Sequence, residues 1–81
     1  MPWCVYVLKS LVNNRLYTGS TNDLGRRLEE HNRGKSKYTR LTRPFVLVYK
    51  EEYHSRVEAR RRERFLKTGK GREFLKTILG M

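Results

Sequence analysis

Four side chains in this sequence have types and spacings that suit the cleavage of a phosphodiester bond. Tyr6 and Tyr17 are a pair of hydroxyl-bearing residues that could orient an attacking water molecule. Arg27 supplies a permanent cation for a phosphate group. Glu63 supplies a carboxylate, which is the type of oxygen ligand that hard divalent cations prefer. In combination these residues predict a hydrolytic reaction on a phosphodiester.

The strong positive charge of the chain points to a polyanionic partner. The sequence holds 19 Lys and Arg against 8 Asp and Glu, a formal net charge of +11 in 81 residues. Such a field attracts polyanions over about one Debye length, roughly 8 to 10 Å. Nucleic acid is the expected partner, and DNA the expected kind. Charge alone does not separate it from an anionic membrane surface or from ribosome-associated chemistry.

Five cations and one aromatic residue, apart from the candidate catalytic residues, are predicted to contact nucleic acid. They are Lys35, Lys37, Tyr38, Arg40, Arg60 and Arg64. Tyr38 could stack on a base while its cationic neighbours hold the backbone, or it could tether a mobile loop. The arginine-rich segment from Arg56 to Arg64 has two interpretations as well, a solvated helix face or a phosphate-binding face, and the overall charge favours the second.

The length and cysteine content bound the architecture. A chain of 81 residues predicts a single domain over 1–81 that buries only about 60 to 65% of its unfolded surface. The single cysteine excludes an intramolecular disulfide and a zinc site built on paired cysteines. No apolar run approaches the roughly 20 residues that span a bilayer, and residues 1–12 lack the features of a signal peptide. We therefore expect a cytoplasmic protein that does not bind membranes.

Three segments have the pattern of β-strands. Residues 4–8 and 15–19 are rich in β-branched and aromatic side chains and flank the turn-forming residues 12–14, which predicts a β-hairpin. Residues 45–49 form a continuous apolar run, which predicts a third strand well covered by helices. The polar segment 34–44 is rich in cations and breakers and is predicted to be an exposed loop.

The first predicted helix places two polar residues near the core. Leu24 and Leu28 repeat at helical spacing, and Gly34 suits a left-handed cap at the end of the helix. Arg27 and His31 lie within about 60° of Leu24 around the helix axis. We therefore expect both side chains at the border of the buried face.

The second predicted helix carries an acid on its apolar face. Ser55 and Glu58 form the pattern of a capping box, so this helix should begin at the residue after Ser55. Ala59, Glu63 and Leu66 then recur at spacings of four and three on one face. Glycines in segment 69–71 are predicted to break the helix before a short amphipathic helix that covers residues 74–79.

The tyrosine motifs and the first predicted helix resemble those of a known family, the GIY-YIG nuclease domain. The segments that carry the resemblance are Cys4-Val5-Tyr6, Tyr17-Thr18-Gly19, Asp23-Leu24-Gly25-Arg26-Arg27-Leu28 and His31. Segments 36–40, 47–49 and 58–63 are similar to the small stand-alone bacterial branch of this family, which is related to the nuclease domain of an excision-repair subunit and thus to DNA repair. The resemblance covers nearly the whole chain.

The resemblance implies a fold, an ion and a set of roles. The implied fold is α+β, a small three-stranded antiparallel sheet flanked by helices. A single divalent ion, Mg²⁺ or Mn²⁺, would be bound by the glutamate that Glu63 matches. Tyr6 and Tyr17 match the two motif tyrosines near the attacking water, Arg27 matches the catalytic arginine, and His31 stands where relatives carry His or Tyr.

The chain departs from the family pattern at three places. Cys4 takes the position of a motif glycine, and Thr18 takes that of an isoleucine. Larger relatives carry an asparagine beyond the glutamate helix, and this chain has none after Glu63. Neither tyrosine-motif change removes a reacting group.

Every candidate residue also has a purely structural interpretation. Tyr6 and Tyr17 have the character of half-buried strand aromatics. His31 suits a packed residue or a cap near the end of its helix. Glu63 suits an acceptor for neighbouring cations, at about 0.2 to 0.5 kcal/mol per pair. Which tyrosine acts on the water stays open.

Two functional hypotheses follow. The first is a metal-dependent endonuclease that hydrolyses DNA phosphodiesters, either without a structural preference or with selectivity for DNA structure. The second is a non-catalytic nucleic-acid-binding module that keeps the nuclease fold and acts with a partner protein; it predicts salt-dependent binding without a metal-stimulated product. A membrane-surface peptide is disfavoured because the basic helix lacks a broad apolar face.

Overall fold

The fold is a three-stranded antiparallel sheet with helices on both faces. The computed structural model describes residues 2–34 and 37–80, apart from the side chain of Tyr38. The elements in chain order are β1 (Trp3–Ser10), β2 (Leu16–Thr21), α1 (Leu24–Arg33), α2 (Lys37–Thr42), β3 (Phe45–Tyr53), α3 (Arg56–Leu66) and α4 (Gly69–Leu79). This confirms the expected α+β class. Within those residues, none of the helices has the length and apolar character needed to cross a membrane.

The central strand β1 divides the core into two clusters. The sheet order is β2-β1-β3, so β1 pairs on both sides. Because successive side chains of a strand point to opposite faces, Val5 and Val7 pack on one side against α3 and α4. Tyr6 and Leu8 pack on the other side, where α1 and Phe45 cover them. Each face therefore presents its own side chains to its own helices.

The predicted hairpin and first helix are confirmed, and residues at the turn and at the helix ends account for them. Asn14 has a φ of 61°, a left-handed conformation that asparagine tolerates, in the turn between β1 and β2. Asp23 caps α1 by accepting a hydrogen bond from the Arg26 backbone N–H at 3.1 Å. Gly34 ends the helix with a φ of 73°, and its N–H donates to the His31 carbonyl.

The third helix is fixed at its start by a cap and along its length by an ion pair. Ser55 accepts a hydrogen bond from the Glu58 backbone N–H, which confirms the predicted start at Arg56. Arg62 donates to both carboxylate oxygens of Glu51 on β3, at 2.9 and 3.2 Å. Burial alone would raise the pKa of the Glu51 carboxyl, but the hydrogen bonds from Arg62 and two tyrosines lower it. The pair therefore stays ionised and links α3 to the sheet.

The prediction of an exposed loop over 34–44 is wrong in its second half. Residues 37–42 form α2, in which Thr39 and Thr42 are buried. Ser10 Oγ at the end of β1 donates to the Thr42 carbonyl at 2.5 Å. The segment has little apolar periodicity, so this tertiary contact, rather than a pattern along the chain, accounts for the helical turn.

Two further predictions need correction. The third strand extends to Tyr53 and lies at the edge of the sheet, where Val46 and Leu47 are each 38% exposed, so it is less covered than its apolar run predicted. The helix break lies before Gly69, because Thr68 caps α4 by accepting from the Gly71 N–H at 3.2 Å. The glycines that were predicted to break the helix instead form its first turn.

We expect Gly71→Ala to destabilise the protein strongly, because α4 approaches the end of α3 closely at this residue. A Cβ there would lie 2.5 Å from the Leu66 Cα and closer still to the Phe65 carbonyl oxygen. Overpacking against backbone should lower the free energy of unfolding by about 1 to 3 kcal/mol. Urea denaturation measures this change. The matched control is Gly69→Ala, where a Cβ would have no neighbour within 4 Å; an equal loss in both variants would contradict the expected contact.

Candidate active site

The hydroxyl of Tyr6 reaches the β2 side of the sheet because its partner across the strands is a glycine. Tyr6 pairs with Gly19, and the tyrosine is only 2% exposed. A Cβ at position 19 would lie 2.6 Å from Cζ of Tyr6 and closer still to the hydroxyl oxygen. Only a residue without a side chain leaves the space that the ring occupies.

His31 is the point at which the two motif tyrosines meet. The Tyr6 hydroxyl lies 3.4 Å from His31 Nε2. The Tyr17 ring makes an edge contact with the imidazole at 4.6 Å between centroids, and Phe45 lies 5.8 Å away on the same side. The imidazole is 9% exposed, which places it on the buried side of α1. The predicted residues Tyr6, Tyr17 and His31 thus form one cluster.

Arg27 lies one turn before His31 on α1 and brings a positive charge to this cluster. Its side chain is 48% exposed, with Nη1 at 3.7 Å from Glu30 Oε1. Burial raises the pKa of Tyr6 to about 12, and the charge of Arg27 opposes that rise. Burial also lowers the pKa of His31, and here Arg27 adds to the effect while Glu30 opposes it. At neutral pH the phenol is therefore protonated and the imidazole is neutral.

Glu63 comes to the sheet from the opposite face. Its Oε1 accepts a hydrogen bond from Ser20 Oγ at 2.5 Å, and its Oε2 pairs with Lys67 Nζ at 2.7 Å. Burial raises the pKa of the Glu63 carboxyl, but the hydrogen bonds from Lys67 and Ser20, with the charge of Arg60, lower it on balance. The carboxylate is therefore ionised at neutral pH, and its side chain is 19% exposed.

The strand β2 contacts candidate residues on both faces of the sheet. Gly19 and Ser20 are consecutive, so one faces Tyr6 and the other faces α3. Burial is the main cause of the raised pKa of Tyr6, and the negative charge of Glu63 adds a smaller contribution. The predicted acid is therefore at the same strand as the tyrosine cluster, although it belongs to a different layer of the fold.

Glu63 is suited to a hard cation that keeps most of its own ligands. Its carboxylate is ionised and partly open to solvent, and the Ser20 hydroxyl beside it is a second oxygen. Among residues 2–34 and 37–80 there is no group of three His, Cys, Asp or Glu side chains that could hold an ion together. Mg²⁺ commonly binds through one or two carboxylates, with waters and substrate phosphates as its other ligands. The donor set fits such an ion.

The predicted nucleic-acid contacts fall on two helices. Arg60 and Arg64 are exposed on α3, and the charge of Arg60 acts on Glu63. Lys37 and Arg40 are exposed on α2, the short helix that follows α1 in the chain. Lys35 and the side chain of Tyr38 lie outside the described residues.

Sequence reasoning missed two residues that position the candidate groups. Ser20 holds Glu63, and Gly19 makes room for Tyr6. The pair of Glu63 with Lys67, four residues apart on the helix, agrees with the interpretation of Glu63 as an acceptor for neighbouring cations. Nothing along the chain indicates the contact between Ser20 and Glu63, because it depends on how α3 lies on the sheet.

Comparison with known proteins identifies relatives over almost the full length. The family model described as the GIY-YIG catalytic domain matches residues 2–76, which confirms the resemblance seen in the tyrosine motifs. A UPF0213 protein of Staphylococcus haemolyticus is 47% identical over 75 residues, covering 91% of this chain and 90% of that protein. A UPF0213 protein of Staphylococcus aureus is 46% identical over 65 residues, covering 79% of this chain and 78% of that protein.

A solved structure shows the same fold. The solution NMR structure of a UPF0213 protein from Bacillus halodurans aligns with a TM-score of 0.59 and 37% sequence identity. The alignment covers 96% of this chain and 85% of the other. The three-stranded antiparallel sheet with its flanking helices is therefore shared with an experimentally determined relative.

We expect the pKa of His31, measured by NMR titration of its ring protons, to lie below 6.5 and to rise in Arg27→Gln. The variant removes a charge that disfavours the imidazolium. In the wild type, the unfolded chain binds more protons than the native chain at pH values between the native and the unfolded pKa of His31. The free energy of unfolding of the wild type should therefore fall as the pH drops below about 6.5. Arg26→Gln, at an exposed neighbour on α1, is the control. An equal rise in both variants would contradict a specific effect of Arg27.

Proposed function

The chain belongs to the GIY-YIG catalytic-domain family, and from that membership we propose that it is a metal-dependent endonuclease that hydrolyses phosphodiester bonds in DNA. The observation that carries the proposal is the convergence at β2. Tyr6 and His31 approach this strand from one face, and Glu63 approaches it from the other. Phosphodiester hydrolysis needs a proton acceptor near the water, a cation for the phosphate and a ligand for the ion. Tyr6 and His31 would supply the first, Arg27 the second and Glu63 the third.

In this proposal Glu63 holds one Mg²⁺ or Mn²⁺ ion. When bound, such an ion neutralises charge on the phosphate and makes a coordinated water more acidic. The hydrogen bond from Ser20 orients the carboxylate toward β2. The lowered pKa of Glu63 keeps the ligand ionised at neutral pH, which a hard cation requires.

Tyr6 and His31 form the proposed route for the proton of the attacking water. A phenol with a pKa of about 12 is protonated at neutral pH, so Tyr6 acts as a hydroxyl rather than as a standing phenolate. It accepts the proton of the water while donating its own to a neutral His31, whose Nε2 lies 3.4 Å away. Tyr17 contacts the imidazole through its ring edge and holds it in place. We therefore assign the water to Tyr6.

Arg27 is the proposed ligand of the non-bridging phosphate oxygens. The guanidinium is half exposed, so a phosphate can reach it. As negative charge builds on the phosphorus, a preorganised cation becomes more effective, and the loss of one comparable donor costs about 2.7 to 4 kcal/mol in other enzymes. The exposed Arg60 and Arg64 on α3 and Lys37 and Arg40 on α2 would contact the flanking backbone.

We expect Glu63→Gln to abolish cleavage by the purified protein while leaving DNA binding largely intact. The neutral amide removes the charge that would hold the ion, and the net positive charge of the chain is retained. Labelled duplex, nicked and branched DNA, with Mg²⁺, Mn²⁺ or EDTA, provide the assay. Glu58→Gln is the matched control, since it removes an exposed acid from the same helix.

Two outcomes would reject the assignment. Cleavage by Glu63→Gln at the rate of Glu58→Gln would show that the acid is not the metal ligand. Salt-dependent binding by the wild type without any metal-stimulated product, on every DNA of the panel, would favour the non-catalytic binding module.

We expect Gly19→Ala to reduce kcat by at least about tenfold, because its methyl group would displace the Tyr6 hydroxyl, and small misplacements of reacting groups are costly. The fold should survive, as measured by circular dichroism. Gly25→Ala is the control: a Cβ there would meet only Asp23 Oδ1, at 3.9 Å. Unchanged activity in Gly19→Ala would show that the position of the hydroxyl is not required for catalysis.

A further inference from the structure

A cleft of about 610 Å³ lies on the side of β2 that faces α3 and α4. Leu16 of β2 lines it and is half-buried, whereas Leu66 of α3 and Leu75 of α4 lie beneath the surface, each only 1% exposed. Its volume falls within the roughly 300 to 1,000 Å³ that is usual for small-molecule sites. The cleft is therefore large enough for a nucleotide, and at Leu16 it offers an apolar surface against which a ring can lie.

The rim of the cleft carries cations without acidic partners. Arg15, Arg72 and Lys76 line it, and none of the three forms an ion pair with a described acidic residue. Bringing like charges together around one cavity is unfavourable until an anion neutralises them. An apolar surface with a cationic rim is complementary to a nucleotide, which combines a flat base with an anionic phosphate.

The cleft adjoins the candidate metal ligand through Lys67. This residue lines the cleft and also donates to the Glu63 carboxylate. Tyr17 borders the cleft as well, but its ring contacts His31 on the opposite face of the sheet. A strand whose scissile phosphate lies at Glu63 would therefore have a neighbouring nucleotide within reach of the cleft. This proximity favours nucleic acid over another anionic ligand, such as an acidic peptide.

We propose that this cleft binds an unpaired nucleotide that flanks the scissile phosphate, so that the preferred substrate carries a single-stranded segment next to the cleavage position. The proposal rests on the nuclease function above and adds the class of substrate. A base in a duplex has both of its faces stacked and its pairing edge engaged, so only an unpaired base can lie against the apolar surface. The phosphates of the same segment would lie between the rim cations.

The test measures binding to the wild-type protein in EDTA, by fluorescence anisotropy, of a labelled oligothymidylate of about 12 nucleotides and of a blunt duplex. The double variant Arg72→Gln/Lys76→Gln should weaken single-strand binding about tenfold or more and reduce the salt slope by about 1.4, since each lost contact to a single strand accounts for about 0.7. The matched control Arg26→Gln/Lys70→Gln removes the same charge from exposed positions outside the cleft. We expect less than about a threefold effect from the control and little effect of the cleft variant on duplex binding.

Two results would overturn the proposal. Equal weakening by the cleft variant and the control would show that net charge alone governs binding. Equal weakening of duplex and single-strand binding would show that the cleft does not select unpaired nucleotides. Because binding is measured without metal, this outcome is independent of cleavage: a protein that cuts DNA but fails here loses only the cleft assignment. One that passes here but never cuts loses only the nuclease assignment.

Discussion

The contact between the Tyr6 ring and Gly19 is the constraint on which the candidate site depends. Opposed side chains on one face of an antiparallel pair have Cβ atoms only about 4.5 to 5.5 Å apart, so a ring that leans across the partner strand occupies the space of the partner's side chain. Glycine removes this competition, and the phenol can cover the backbone of β2 and present its hydroxyl to His31. Ser20, the next residue, turns to the other face and holds Glu63. Two consecutive residues thus align groups from opposite sides of the sheet.

The position of Glu63 depends in turn on how α3 is rotated about its own axis. Arg62 and Glu63 are adjacent and so point about 100° apart around the helix. Arg62 is fixed to Glu51 on β3, which also accepts from the hydroxyls of Tyr49 and Tyr53. With that side chain held toward one edge strand, the neighbouring carboxylate faces the other edge strand. A partly buried ion pair is weak evidence for net stability, and here we assign it an orienting role.

Features of the fold that follow from adjacent residues could be predicted from the sequence, and features that follow from distant contacts could not. The hairpin, α1 and the start of α3 were predicted because turns and caps involve residues a few positions apart. The helix α2 was missed because a bond from Ser10 to the Thr42 carbonyl, across the fold, stabilises it. The edge position of β3 was missed because an apolar run does not reveal which strand is central. Likewise the family motifs predicted the candidate residues, whereas the support of Glu63 by Ser20 depends on helix placement.

The electrostatic balance around His31 sets the starting protonation states for the proposed proton transfer. In the free protein, burial and the charge of Arg27 keep the imidazole neutral, and burial keeps the proton on Tyr6. Donor and acceptor therefore begin in the states that transfer requires. A phosphate bound to Arg27 would neutralise the charge that disfavours the imidazolium, so substrate binding itself would raise the proton affinity of His31. In the proposed mechanism, Arg27 would thus make the base stronger only when it binds a phosphate, and the spacing of one helical turn between Arg27 and His31 would allow this coupling.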